Sequence, residues 1–128
     1  MSIAFWCLLV AGLLPLAAVG IAKADKSYLR HNAQPREWEA HLTGRQARAH
    51  AAHLNSFEAF PFFAVAVLVA AYCRAPQAIV DYLAMAFIAA RVAYIWCYVS
   101  NRPSLRSTVW MIGFGVCIAL FFVAAFAR

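Results

Sequence analysis

The chain has 128 residues, 66% of them hydrophobic and 12% charged, with a formal net charge of +6 and a mean hydropathy of +0.71. That balance excludes an ordinary water-soluble domain and a disordered tail, and places the chain among integral membrane proteins. Once the apolar runs are assigned, no room is left for a soluble partner domain, so residues 1–128 are read as a single membrane domain.

Residues 3–22 carry no charge and are long enough to cross ~30 Å of hydrocarbon at ~1.5 Å rise per residue. The run ends in small residues, as a secretory signal does, but lacks a positive segment before its apolar core and is read as a permanent helix. The first loop is the longest polar stretch. It and the turns that follow carry Lys23, Lys26, Arg30, Arg36, Arg45 and Arg48 against Asp25, Glu37 and Glu39. Pro35 and Gly44 punctuate it, which predicts extended or irregular structure rather than a continuous helix. A second span is expected over 47–73, with polar first turns. Arg74-Ala-Pro76 is a tight turn into a third span, 77–99, interrupted only by Asp81 and Arg91. Ser100-Asn-Arg-Pro103-Ser turns the chain again, with Asn101 or Ser104 available to cap a fourth span over 105–127. Short turns between long helices predict an all-α, up-down-up-down bundle of four transmembrane helices, bent locally at Pro15 and Pro61.

Positive charge is concentrated in the first loop and, through Arg102 and Arg106, in the third. The second loop offers only Arg74 and the tail only Arg128. The positive-inside rule then puts the first and third loops in the cytoplasm and both termini outside it. A basic cytoplasmic face suits anionic lipid headgroups or an anionic soluble substrate. Nucleic acid is not an expected partner, because no soluble basic fold is present to receive it.

Cys7, Cys73, Cys97 and Cys117 fall one to a span without C-x-x-C spacing, and are read as small buried hydrophobes rather than a disulfide framework or a metal site. His50 and His53 stand at i, i+3 with no evident third ligand, so no metal is expected.

Asn55 and Glu58 lead into the apolar part of the second span, where a central charge costs roughly 2.5–3.5 kcal/mol on insertion scales. Such groups face a bundle interior or a polar cavity. On a helical projection Arg48, Asn55 and Glu58 lie within about 80° of one another, and Phe62 joins that face. On the third span Arg91, Tyr94 and Tyr98 share a face, and Arg106 opens the fourth. Taken pairwise, these residues have plain explanations. Glu58 and Arg91 suit an interhelical ion pair, Tyr94 and Tyr98 suit interfacial aromatics, and Arg102 and Arg106 suit membrane-surface anchors. None of these explains the whole set, which reads better as one polar pocket near the cytoplasmic helix ends.

The series Asn55-x-x-Glu58 with Pro61, then Arg91-x-x-Tyr94-x-x-x-Tyr98, then Arg106-Ser107, resembles the MAPEG superfamily of membrane proteins in eicosanoid and glutathione metabolism, in particular the bacterial type of microsomal glutathione transferase. The resemblance implies a homotrimer of four-helix subunits in a bacterial inner membrane, binding glutathione between subunits near the cytosolic face. By position, Asn55 and Glu58 would hold the glutathione peptide, with Glu58 meeting its ammonium, and Arg91, Tyr94 and Tyr98 would line the pocket. Arg106 would stabilise the thiolate with Ser107 beside it, and Lys23 or Lys26 would meet a carboxylate from the neighbouring subunit. A hydrophobic electrophile or peroxide would arrive from the lipid. Family members usually carry an arginine four residues before the asparagine. Here that residue is Ala51, and Arg48, one turn earlier on the same face, is its expected substitute. Where leukotriene C synthase has a tyrosine after the glutamate, this chain has Ala59. The rival readings are a non-catalytic lipid-binding member of the superfamily and a small proton-coupled exporter using Glu58.

Overall fold

The computed structural model describes residues 1–24 and 27–127. Four long helices, α1 (Ile3–Lys23), α4 (Gly44–Tyr72), α5 (Gln77–Val99) and α6 (Pro103–Ala125), are long and apolar enough to cross a membrane. Two short ones, α2 (Ser27–His31) and α3 (Pro35–Ala40), lie in the first loop. That loop is therefore more ordered than its proline and glycine suggest. Pro35 opens α3, where its missing N–H costs nothing, and the Trp38 ring meets Tyr28 edge-on at 5.0 Å between centroids. Gly44 is the true breaker, taking φ +58° where the chain turns into α4. Of the sequence-derived assignments, Asp25, Lys26 and Arg128 lie outside the described residues.

Helices α1 and α6 each pack against both α4 and α5, which also touch each other. The buried residues of α1 are Ala4, Cys7, Ala11, Pro15, Ala18 and Ala22. They recur every three or four positions and all are small, so the helix lies close to its neighbours, as small-residue interfaces allow in lipid. Its opposite face presents Trp6, Leu9, Leu13 and Leu16 outward. Phe63 of α4 and Phe87 of α5 stack at 3.9 Å and 9° in the core, within a buried cluster that includes Val67, Leu120 and Cys117. Pro15 and Pro61 both lie inside continuous helices.

Polar ties fix α1 along its length. Near its start, the Asp81 carboxylate accepts the Ala4 N–H at 2.7 Å and the Gln77 amide at 2.8 Å. Asp81 thus serves as an N-terminal partner for a helix far away in sequence, using the favourable pairing of an anion with unsatisfied N–H groups. At mid-span His53 donates its Nδ1–H to the Pro15 carbonyl at 2.7 Å, which fixes the tautomer, and near the end the Gln46 amide donates to the Ala22 carbonyl at 3.1 Å. Asp81→Ala is expected to lower stability by about 1–2 kcal/mol, the usual cost of a lost helix cap. Thermal unfolding in detergent checks this, with Asp81→Asn recovering much of the loss because an amide oxygen still accepts.

Both short turns are built the same way. Arg74 (φ 55°) and Asn101 (φ 56°) are left-handed. Paired bonds, Arg74 N–H to Ala71 and Ala75 N–H to Ala70, and Asn101 N–H to Tyr98 and Arg102 N–H to Cys97, satisfy the last carbonyls of α4 and α5. Asn101 therefore ends α5 rather than capping α6. Arg102 occupies the cap position of α6 without a side-chain bond, and Ser104 lies within the helix. The cysteine assignment also needs one correction. Cys7, Cys97 and Cys117 are buried, but Cys73 sits at the C-terminal cap of α4 and is exposed.

Candidate functional site

The site is organised by one buried cation. Arg91 of α5 is 4% exposed in the middle of an apolar span. Its Nη2 donates to Asn55 Oδ1 at 3.0 Å and to Ser56 Oγ at 3.2 Å, and Ser56 in turn donates to the Ala52 carbonyl at 2.8 Å. A guanidinium only donates, so the Asn55 oxygen must face it, and the Asn55 NH₂ is left pointing the other way. There it donates to Glu58 Oε2 at 3.2 Å. Asn55 is thus an oriented amide standing between Arg91 and Glu58, and Glu58 is presented outward.

Toward the α5–α6 turn, cations and rings alternate. The Arg91 guanidinium lies 4.3 Å from the Tyr94 centroid, Tyr94 meets Tyr98 edge-on at 5.6 Å, and the Arg106 guanidinium lies 4.4 Å from the Tyr98 centroid. Cation–π contacts of this kind gain strength when desolvated, and they hold both guanidinium planes against aromatic faces. The i, i+3, i+7 spacing on α5 makes this ladder possible, and Pro103 at the start of α6 folds Arg106 back over it.

Two cavities adjoin this framework. A polar one of about 270 Å³ is lined by Asn55, Tyr94, Tyr98, Arg106, Ser107, Trp110 and Met111. An apolar one of about 180 Å³ lies among α4, α5 and α6 and is bounded mainly by aromatic and small side chains, with Asn55, Glu58 and Arg91 at its polar end. Asn55 and Trp110 line both.

The structure therefore brings together Asn55, Tyr94, Tyr98, Arg106 and Ser107, and attaches Glu58 and Arg91 to them through Asn55. It places the other sequence-derived candidates elsewhere. Arg48 donates from Nε and Nη2 to the Val99 carbonyl, at 3.3 Å each, and serves the C-terminus of α5 instead of either cavity. Lys23 donates to the Tyr28 hydroxyl at 3.2 Å, over the Tyr28 ring. Lys26 lies outside the described residues. Sequence reasoning passed over Ser56, and also Trp110, Gly113, Phe114 and Cys117. The last four follow Arg106 at helical spacing along α6, a stripe that could have been read from the same periodicity.

Chemically, the polar cavity offers one guanidinium, two phenols, a hydroxyl and an oriented amide. That set suits a peptide-like ligand and an anion close to Arg106. A sequence model of the MAPEG family matches residues 3–126 of this chain. No curated protein and no solved structure matches it.

Proposed function

The chain belongs to the MAPEG family, and on that premise we propose that it is a membrane glutathione transferase or peroxidase acting on lipid-soluble electrophiles or peroxides. The observation that carries this reading is the convergence of Asn55, Tyr94, Tyr98, Arg106 and Ser107 on one polar cavity, with Glu58 held by Asn55 at its edge. Glutathione carries two carboxylates, one ammonium and a thiol. In this reading Glu58 meets the ammonium and Tyr94, Tyr98 and Asn55 hold the peptide. Arg106 faces the sulfur, where a guanidinium favours the thiolate over the thiol, and Ser107 lies beside it. The thiolate attacks the electrophile, and Arg106 needs no proton transfer of its own.

Among the described residues, one chain supplies a single guanidinium to the polar cavity, too few cations for two carboxylates and a thiolate. This supports a homotrimer in which Lys23 or Lys26 of a neighbouring subunit completes the site. The basic helix ends, in this reading, face the cytoplasm, where glutathione is available. A second reading, a non-catalytic lipid-binding member, is favoured by Ala51 in the place of the usual arginine and by Arg48 being turned to Val99. Membership of the family sets the exporter reading aside.

Glutathione titration of the purified protein by calorimetry separates the two. We expect saturable binding in the wild type. Because Arg48 serves the end of α5, Arg48→Ala is expected to lower the unfolding temperature while leaving the glutathione affinity within about twofold, in line with a lost helix-end contact. No heat at millimolar glutathione would overturn the enzyme reading in favour of lipid binding.

A further inference from the structure

We propose that the cavity enclosed by the first loop is a headgroup site. Its ligand is a phosphate ester that carries a primary ammonium, supplied by a membrane phospholipid of the ethanolamine type. The cavity stands apart from both cavities of the candidate site, and the proposal does not rest on the glutathione reading.

Position is the first argument. Helices α2 and α3 and the first turn of α4 bound a cavity of about 510 Å³, larger than either cavity beside Asn55. It falls within the roughly 300–1,000 Å³ of small-molecule sites. Gln46, on its wall, donates to the carbonyl of Ala22 in the last turn of α1. The cavity therefore sits where two membrane-length helices meet the polar loop, at the depth of lipid headgroups. Trp38, which lines it, pairs edge-on with Tyr28, and such amphipathic rings belong at that depth. Leu42 also lines the cavity, and Leu29, next to Arg30, is 75% exposed, so apolar surface is at hand for the start of the acyl chains.

Charge is the second argument, because the lining divides into donors and acceptors. Arg30 brings a guanidinium and Thr43 a hydroxyl. Thr43 also opens the 29-residue α4 without a side-chain cap, so the first N–H groups of that helix add partial positive charge beside it. These groups suit a phosphate. On the acceptor side, Glu37 brings a carboxylate. Gln46 commits its NH₂ to Ala22 and keeps its amide oxygen as an acceptor. A carbonyl only accepts, so the 2.8 Å contact of His41 with the Glu37 carbonyl holds a proton on Nδ1, and the neutral ring keeps Nε2 bare. Three acceptors match the three N–H bonds of a primary ammonium. A quaternary ammonium has no N–H to give, and a purely anionic headgroup leaves Glu37 opposed and unpaired. Two imidazoles and a carboxylate line the cavity, yet among the described residues no three such groups form a metal site.

The test titrates purified, delipidated protein by calorimetry in detergent. Short-chain phosphatidylethanolamine, phosphatidylcholine and phosphatidylglycerol are the probes. The wild type is expected to bind the ethanolamine lipid saturably and about tenfold more tightly than the other two, roughly the worth of one hydrogen bond to a charged group. Arg30→Ala should weaken the ethanolamine lipid by a similar factor. Glu37→Gln should weaken it too, but strengthen the glycerol lipid, because the repulsion leaves with the charge. Both are exposed loop side chains, and general damage to the fold does not move two lipids in opposite directions. Equal binding of the three lipids by the wild type, or unchanged binding in both variants, would overturn the proposal. Free phosphoethanolamine distinguishes the source. Weaker binding than the lipid supports a membrane ligand, whereas equal binding overturns the lipid source in favour of a soluble ester.

Discussion

Arg106→Ala is expected to lower kcat/KM for glutathione conjugation by about 100-fold or more at neutral pH, the scale seen when one preorganised charge-stabilising donor is removed. The thiolate absorbance of bound glutathione should disappear with it. In the folded protein Arg106 is held over the Tyr98 ring, so its charge is already placed before the sulfur arrives and little reorganisation is needed. The sign of the pH dependence follows. A nearby guanidinium stabilises the thiolate and lowers the pH at which it forms. Without it, the thiol returns toward the ordinary range near about 8.5, and the variant should regain activity as pH rises. A variant that merely packs badly would show no such recovery. Arg106→Lys should fall between, since an ammonium keeps the charge but not the planar face against Tyr98. Undiminished turnover and an unshifted pH profile in Arg106→Ala would remove Arg106 from the mechanism.

The second large effect is expected at Arg91, where stability and binding should part company. Replacing a buried charge with an apolar group of similar volume is often neutral or stabilising, because the desolvation cost disappears with the charge. Arg91→Met should therefore unfold at or above the wild-type temperature. Asn55 and Ser56 both lose the Arg91 donor, but Ser56 keeps its bond to the Ala52 carbonyl, so the Asn55 oxygen is the acceptor left without a partner. Asn55 is then free to rotate, and the amide that presents its NH₂ to Glu58 is no longer locked. Glutathione affinity should fall about tenfold, roughly the worth of one charge-assisted hydrogen bond. The opposite pattern, with a lower melting temperature and intact binding, would make Arg91 a packing residue only.

Much of this was readable in advance, and the reason is geometric. Helical periodicity reports which residues of one helix share a face, and that was enough to group Asn55 with Glu58 and Arg91 with Tyr94 and Tyr98. The four spans came from length and apolarity alone. Periodicity does not report what stands opposite. Arg48 shares the Asn55 face, yet its side chain is long and the end of α5 crosses nearby, so the Val99 carbonyl takes it. Asp81 read as an interruption of a span, because its partner, the Ala4 N–H, is a backbone group in a distant helix. Glu58 and Arg91, which the sequence also allowed as a direct ion pair, are instead linked by the Asn55 amide, a refinement that only three-dimensional placement shows. The first loop has no continuous helix, as Pro35 and Gly44 suggested, but its two short helices were not foreseen, since Pro35 starts a helix as readily as it ends one.

The polar ties of α1 have a mechanical counterpart at the other side of the bundle. Three hydrogen bonds hold α1 to the other spanning helices, near its start, at its middle and near its end. Among the described residues, α6 is joined to the other spanning helices by ring faces, by the Arg106–Tyr98 contact and by apolar packing, and by no hydrogen bond. A hydrogen bond weakens steeply when stretched or bent, whereas stacked rings and methyl groups slide past one another at little cost. The bundle is thus a braced frame with one loosely hung panel. Both cavities are bounded by that panel, through Trp110, so the helix with the fewest directional restraints is also the one whose small displacements widen or narrow them.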